Sequence, residues 1–223
     1  AKQATSRAKQ IDKIKLEEMK PSSRVSPFIR FDQDKKLHRL AVEVKDLSLG
    51  YEDKTLIPKL SMMVEAGERV AIIGPNGIGK TTLLQALTGN FGKDSQEKMS
   101  GQVKWAENAN VGYYAQDHSH EFEEDINLFD WMSQWGSPSD DEQSIRGVLG
   151  KLLFSKDDSL KKVSVISGGE QGRMLLGKMM LQKPNVLVMD EPTSAHTESE
   201  SARLERTIAR LLASGTTILY ISH

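Results

Sequence analysis

The chain has 223 residues, 38% hydrophobic and 27% charged, with a formal net charge of −1. That is enough for one good core with a small subdomain and an extension, in the composition of an ordinary globular protein. The absence of cysteine excludes disulfides, thiolate nucleophiles and cysteine zinc sites, and the longest apolar runs are too short to cross a membrane. The N-terminus shows no signal-peptide pattern. A chain that opens on Ala1 and stops at Ile221-Ser222-His223 reads as a piece of something longer, truncated at its C-terminus, and a cysteine-free chain suits the cytoplasm.

Residues 1–20 lack Gly and Pro, and Ala4, Ala8, Ile11 and Ile14 fall at helical spacing, so this stretch reads as the end of a longer helix stopped by Pro21-Ser22-Ser23. Residues 21–39 read as a tether, with Phe28-Ile29-Arg30-Phe31 pinning it onto something apolar. Residues 1–39 hold 11 Lys/Arg against 5 Asp/Glu, or +6, which leaves −7 on the rest. A basic arm on an acidic body points to a polyanionic partner, and equally to a solvated lysine-rich helix.

From Leu40 short strands follow at 40–44, 47–49 and 60–64. A strand-turn-strand leading into Arg69–Ile73, an apolar buried strand, predicts an antiparallel sheet beside a parallel one. Tyr51, past the second strand, can stack on a nucleobase or be a half-buried strand aromatic. Gly74-Pro75-Asn76-Gly77-Ile78-Gly79-Lys80-Thr81-Thr82 then matches G-x-x-x-x-G-K-[ST] between that strand and a helix that Gly89 ends. Gly77 and Gly79 let the backbone curl so that its N–H groups point at phosphate oxygens, Lys80 adds a mobile charge, and the Thr81 hydroxyl can ligate Mg²⁺. This pattern binds a nucleoside triphosphate.

Strands are expected at 101–105 and 110–116, and the latter ends in Gln116. The carboxylates of 117–125 form a solvated acidic face, with a metal site as the alternative. Residues 119–165 read as a helical insert with Phe129, Trp131, Met132 and Trp135 as a small core. Ser167-Gly168-Gly169-Glu170-Gln171 opens a helix whose N-terminus is a ready anion site, and its methionines read as core filler. Residues 185–189 are a buried strand ending in Asp190 and Glu191, the Walker B pattern: Asp190 can hold the Mg²⁺ hydration shell, and Glu191 can orient and deprotonate water. A last strand over 216–221 ends in Ser222-His223 on the same edge, where His223 can touch a γ-phosphate.

The P-loop, Gln116, the Ser167-Gly168-Gly169 signature, Asp190-Glu191 and His223 together resemble an ATP-binding cassette (ABC) domain over residues 40–223. Within that superfamily the chain is similar to the second cassette of the ABC-F branch. The stretches that carry this are Pro27 to Leu37, Gly112 to His118, Trp131-Met132-Ser133-Gln134-Trp135 and Leu152-Leu153-Phe154-Ser155. The resemblance implies an α/β fold: a parallel RecA-like core sheet with helices, an antiparallel β subdomain and a small helical subdomain at about 119–165. Residues 1–20 then correspond to the end of a charged interdomain linker that reaches toward tRNA and ribosomal RNA.

The resemblance also assigns roles. Tyr51 stacks on adenine, residues Gly74, Pro75, Asn76, Gly77, Ile78, Gly79, Lys80, Thr81 and Thr82 bind ATP phosphates, and Thr81, Gln116 and Asp190 serve Mg²⁺. Glu191 is the general base, His223 senses the γ-phosphate, and Ser167, Gly168 and Gly169 close over ATP held by a second cassette. That cassette belongs to the same parent chain or to a second copy, so hydrolysis by one cassette alone is expected to be weak. The implied activity is an ATPase that regulates ribosome binding and translation in the cytoplasm without entering a membrane. The alternatives are the nucleotide-binding domain of a transporter and an ATP-dependent interaction module without significant hydrolysis. One stretch departs from the family: Ser194-Ala195-His196-Thr197 lacks the leucine and aspartate usual in the loop that faces the opposite cassette.

Overall fold

The computed structural model of the protein describes residues 27–190 and 215–221. The helix expected over residues 1–20 lies outside them.

Two sheets organise the chain. The first is antiparallel with strand order β2-β1-β4, from β1 (Leu40–Tyr51), β2 (Lys54–Glu65) and β4 (Glu97–Trp105). The second is parallel with order β3-β7-β6-β5, from β3 (Arg69–Ile72), β5 (Val111–Tyr114), β6 (Val186–Met189) and β7 (Thr217–Ile221). The expected pairing of an antiparallel and a parallel sheet is therefore present, but three strand boundaries differ. Where two strands were expected over 40–49 there is one, β1, because the break in alternation is a bulge. Val42 and Val44 are buried, the phase slips, and Leu47 and Leu49 are buried next. Asp46 takes φ +50° at the slip, and pairing with β4 shifts between Lys45 and Ser48. Strands β2 and β4 also begin well before the apolar runs at 60–64 and 101–105. Both are edges, where polar residues face water and Pro58 interrupts no continuous ladder.

Helix α1 (Lys80–Leu87) packs between the antiparallel sheet and one face of the parallel sheet, joining Leu83, Leu84 and Leu87 to Val42, Leu49, Val186 and Val188. Thr88 caps it and Gly89 follows with φ +74°. The other face of the parallel sheet carries the insert, with α2 (Leu128–Ser133) and α3 (Glu142–Lys151), together with the long α4 (Gly168–Gln182). That core is built around Trp131, Leu149, Met174, Met179, Leu187 and Met189, so the methionines do fill core space. Asn127 and Asp141 cap α2 and α3 by accepting from Asp130 N–H and Ser144 N–H.

Residues 27–39 strap the insert to the base of the parallel sheet. The Phe28 N–H donates to Lys151 O (2.8 Å), Gln33 Nε2 to Thr216 Oγ1 (2.6 Å), and Asn185 Nδ2 to Lys35 O (2.9 Å). Phe31 and Ile29 pack on the core around α4, whereas the Phe28 ring is 56% exposed, so only part of the aromatic run pins the tether.

Candidate functional site

The parallel strands end on one edge, and β3, β5 and β6 each lead into part of a site there. Strand β3 leads into the loop over 73–79, which turns at Gly77 (φ +78°) and Gly79 (φ +103°). Both are left-handed backbone positions that favour glycine. Gly79 is the N-cap of α1, and Leu83 N–H closes the first turn onto its carbonyl at 2.9 Å. No side chain caps this helix, so its first N–H groups and its dipole are left to face a ligand.

Lys80 is buried and folds back over the loop: its Nζ donates to Gly74 O (2.8 Å) and Pro75 O (3.2 Å). The Thr81 hydroxyl donates to Asp190 Oδ1 at 3.2 Å, joining the loop to the end of β6. Asp190 is 1% exposed, and its N–H is held by Tyr114 O at 2.8 Å. A cavity of about 420 Å³ opens over the loop, lined by Asn76, Gly77, Gly79, Lys80, Thr81 and Thr82 and, from across it, by Gln116. Gly74 and Pro75 supply the lysine's carbonyls, and Ile78 stands exposed on the loop.

Leu56 on β2 also lines this cavity, and a Cβ on Gly79 would lie 3.3 Å from Leu56 Cβ. Sequence reasoning missed Leu56 because only the pairing of β2 with β1 brings it there. It also missed Tyr113 on β5. Burial first, then the charge of Asp190, pushes the Tyr113 phenol well above its ordinary value. Burial pushes the neighbouring Tyr114 up to about 12.

Other expected site residues are not gathered at this cavity. Tyr51 ends β1, 40% exposed, with its ring edge-on to Phe91 at 5.4 Å. Ser167, Gly168 and Gly169 are exposed at the start of α4. There the Glu170 carboxylate accepts from both Ser167 N–H (2.8 Å) and Ser167 Oγ–H (2.7 Å). These bonds, helped by the charges of Arg173 and Lys161, hold Glu170 below the usual carboxylate range. The helix start expected as an anion site thus already has a carboxylate on its serine. In the acidic stretch Asp117 caps Ser119 (2.7 Å to Oγ), Glu121 pairs with Lys178 (2.5 Å) and Asp125 with Lys162 (2.5 Å). Glu191, His223 and the departing stretch 194–197 lie outside the described residues.

The sequence profile described as "ABC transporter" matches residues 57–194, more than half of the chain. The chain belongs to the ATP-binding cassette family. The cassette is similar to the "Probable ATP-binding protein YbiT" of Escherichia coli O157:H7, with 55% identity over the whole chain and 41% of YbiT. It is also similar to the "ABC transporter F family member 5" of Arabidopsis thaliana, with 32% identity over 99% of the chain and 31% of that protein. The cassette therefore spans about two fifths or less of the length of these relatives. Its fold is that of the structure titled a bacterial Atm1-family ABC exporter with ATP bound, at TM-score 0.64 and 20% identity over 87% of this chain and 36% of that one.

Proposed function

We propose that this chain is an ABC-F cassette that binds and hydrolyses ATP with Mg²⁺ and works head to tail with a second cassette. The pair, in one parent chain or between two copies, regulates ribosome binding and translation in the cytoplasm. The observation that carries this reading is the bond from Thr81 to Asp190, which brings the P-loop and the end of β6 together across 109 residues.

Lys80 exchanges the Gly74 and Pro75 carbonyls for phosphate oxygens, and the loop N–H groups cradle the same phosphates. Thr81, Gln116 and Asp190 offer hydroxyl, amide and carboxylate oxygens, the hard donors that Mg²⁺ takes, so the residues present fit that ion. A bound Mg²⁺ would supply positive charge to offset the negative charge of the phosphates there. Glu191 accepts the proton of the attacking water, and His223 donates to the γ-phosphate. Tyr51 presents its half-open ring to adenine. Ser167, Gly168 and Gly169, exposed and outside their own cavity, close over the nucleotide of the opposite cassette. Exposed Leu160 and Val165 near the signature, and Ile78 on the P-loop, supply apolar surface for that pairing. The basic arm of residues 1–39 suits ribosomal and transfer RNA phosphates. Among the described residues no helix is long and apolar enough to cross a membrane.

The test uses the complete two-cassette parent carrying Glu191→Gln and the matching change in the other cassette, sedimented with ribosomes with and without ATP. ATP-dependent, salt-sensitive co-sedimentation is the expected result. Absence of ribosome binding in a protein that binds ATP would sink the reading. If phosphate release by the parent is unchanged by Glu191→Gln and the matching change, the cassettes are an interaction module and not an ATPase.

A further inference from the structure

We propose that Leu56 contacts the nucleoside part of the bound nucleotide and sets how far a nucleotide is preferred to a bare polyphosphate. This rests on the nucleotide reading above and deepens it, because it gives the cavity an apolar wall that the P-loop, the signature and Walker B do not supply.

A local irregularity of the antiparallel sheet aims the side chain. Where β1 pairs with β2, Leu49 lies opposite Ile57 and Gly50 opposite Thr55. One step along β1 is answered by two along β2, so Leu56 is the extra residue of a bulge. A bulge bends its strand and re-aims a side chain out of the regular alternation. Gly50 makes room for it, since a Cβ there would lie 2.5 Å from Lys54 O and 3.0 Å from Thr55 Cα. Leu56 is thereby set over the turn of the P-loop, where a Cβ on Gly79 would come within 3.3 Å of Leu56 Cβ and 3.7 Å of its Cδ1. The next residue, Ile57, packs onto the core around α1, while Leu56 stays half-buried and lines the cavity.

The cavity therefore has two unlike walls. Asn76, Lys80, Thr81, Thr82 and Gln116 offer amides, hydroxyls and an ammonium, whereas Leu56 is the one apolar side chain among the described residues that line it. A nucleotide is divided in the same way, into a charged triphosphate and a far less polar nucleoside. The loop N–H groups and Lys80 suit the phosphates. Thr81, Gln116 and Asp190 take the metal in that reading, which leaves the Leu56 wall for the sugar and base. Apolar contact there strengthens binding without holding a phosphate, the usual division of labour in a ligand pocket.

The test measures binding by the full-length parent, with the P-loop lysine of the other cassette replaced so that this site alone is read. Mg²⁺-ATP is titrated calorimetrically into wild type, Leu56→Ala and Leu56→Met, alone and in competition with inorganic tripolyphosphate. Leu56→Ala is expected to weaken ATP about tenfold, the scale of a partly buried leucine side chain, and to leave tripolyphosphate within about twofold. Leu56→Met, which restores the apolar volume, should return ATP to within about threefold of wild type. Equal weakening of both ligands by Leu56→Ala would mean that the side chain only props the loop at Gly79, and would overturn the proposal. So would an ATP affinity unchanged in Leu56→Ala, or tripolyphosphate that cannot displace ATP from wild type. If wild type itself binds no ATP, the nucleotide reading fails, and the wild-type arm tells that failure from the others.

Discussion

Two glycines show how the identity of a neighbour decides the cost of a methyl group. A Cβ on Gly101 would lie 2.6 Å from the Asp46 carbonyl carbon and 2.7 Å from Leu47 Cα, and the residue holds φ +94°. Both neighbours are main chain at the β1 bulge and cannot yield without breaking the pairing of β1 with β4. Backbone strain of about 1–2 kcal/mol adds to overpacking of about 1–3 kcal/mol. A Cβ on Gly177 would be as close, 2.5 Å from Leu152 Cδ1 and 2.6 Å from Met132 Cε, but these are tips of flexible side chains. The expected overpacking of about 1 kcal/mol is nearly offset by the better helix propensity of alanine, about 0.8–1 kcal/mol. Gly101→Ala should therefore lower the melting temperature by roughly 4–20 °C and Gly177→Ala by no more than roughly 2 °C. Equal losses in a thermal melt would overturn the argument.

Among the elements, α4 joins its serine-glycine start to chemistry that depends on pH. Glu170 sits in the first turn, where a carboxylate complements the helix dipole, and it satisfies both donors of Ser167. Its pKa is lowered in the fold from an ordinary 4.5. The stabilisation is therefore present above pH of about 4.5 and disappears as pH falls through the lowered folded value. Glu170→Ala should cost about 1 kcal/mol at neutral pH. The gap to wild type should close as the pH falls below that of the unfolded carboxylate. Urea melts of both proteins across pH 3 to 7 check this, and a gap that stayed constant would mean that the carboxylate's charge contributes nothing to the cap.

At the scale of the whole molecule the question is whether the P-loop cavity takes nucleotide in the folded chain. A ligand that binds only the native state at about a hundred times its dissociation constant adds about 2.7 kcal/mol. For a chain of this size that is a melting shift of roughly 5–10 °C. Lys80→Ala should abolish the shift while leaving the apo melting temperature within about 2 °C, because the bonds of Lys80 to Gly74 and Pro75 join parts of one short loop. An ATP-induced shift that survives in Lys80→Ala would place the nucleotide elsewhere.

What the sequence determined by itself was everything carried by contiguous residues. The P-loop, the strand running into Asp190, the methionine-filled helix after Ser167 and the pairing of an antiparallel with a parallel sheet were all legible, because alternation, glycine placement and helix start signals act over a few neighbours. The tertiary structure alone decided the rest. It joined β1 through a bulge that reads locally as a strand end, and it extended β2 and β4 along edges whose outward residues are polar. It brought Leu56 over Gly79 and docked Phe31 but left Phe28 in water. Most consequential for the site, it set the Thr81 hydroxyl against Asp190. Strand order and register follow from hydrogen bonds and burial between segments far apart in the chain, and no local pattern encodes which of two faces, or which diagonal neighbour, a side chain will meet.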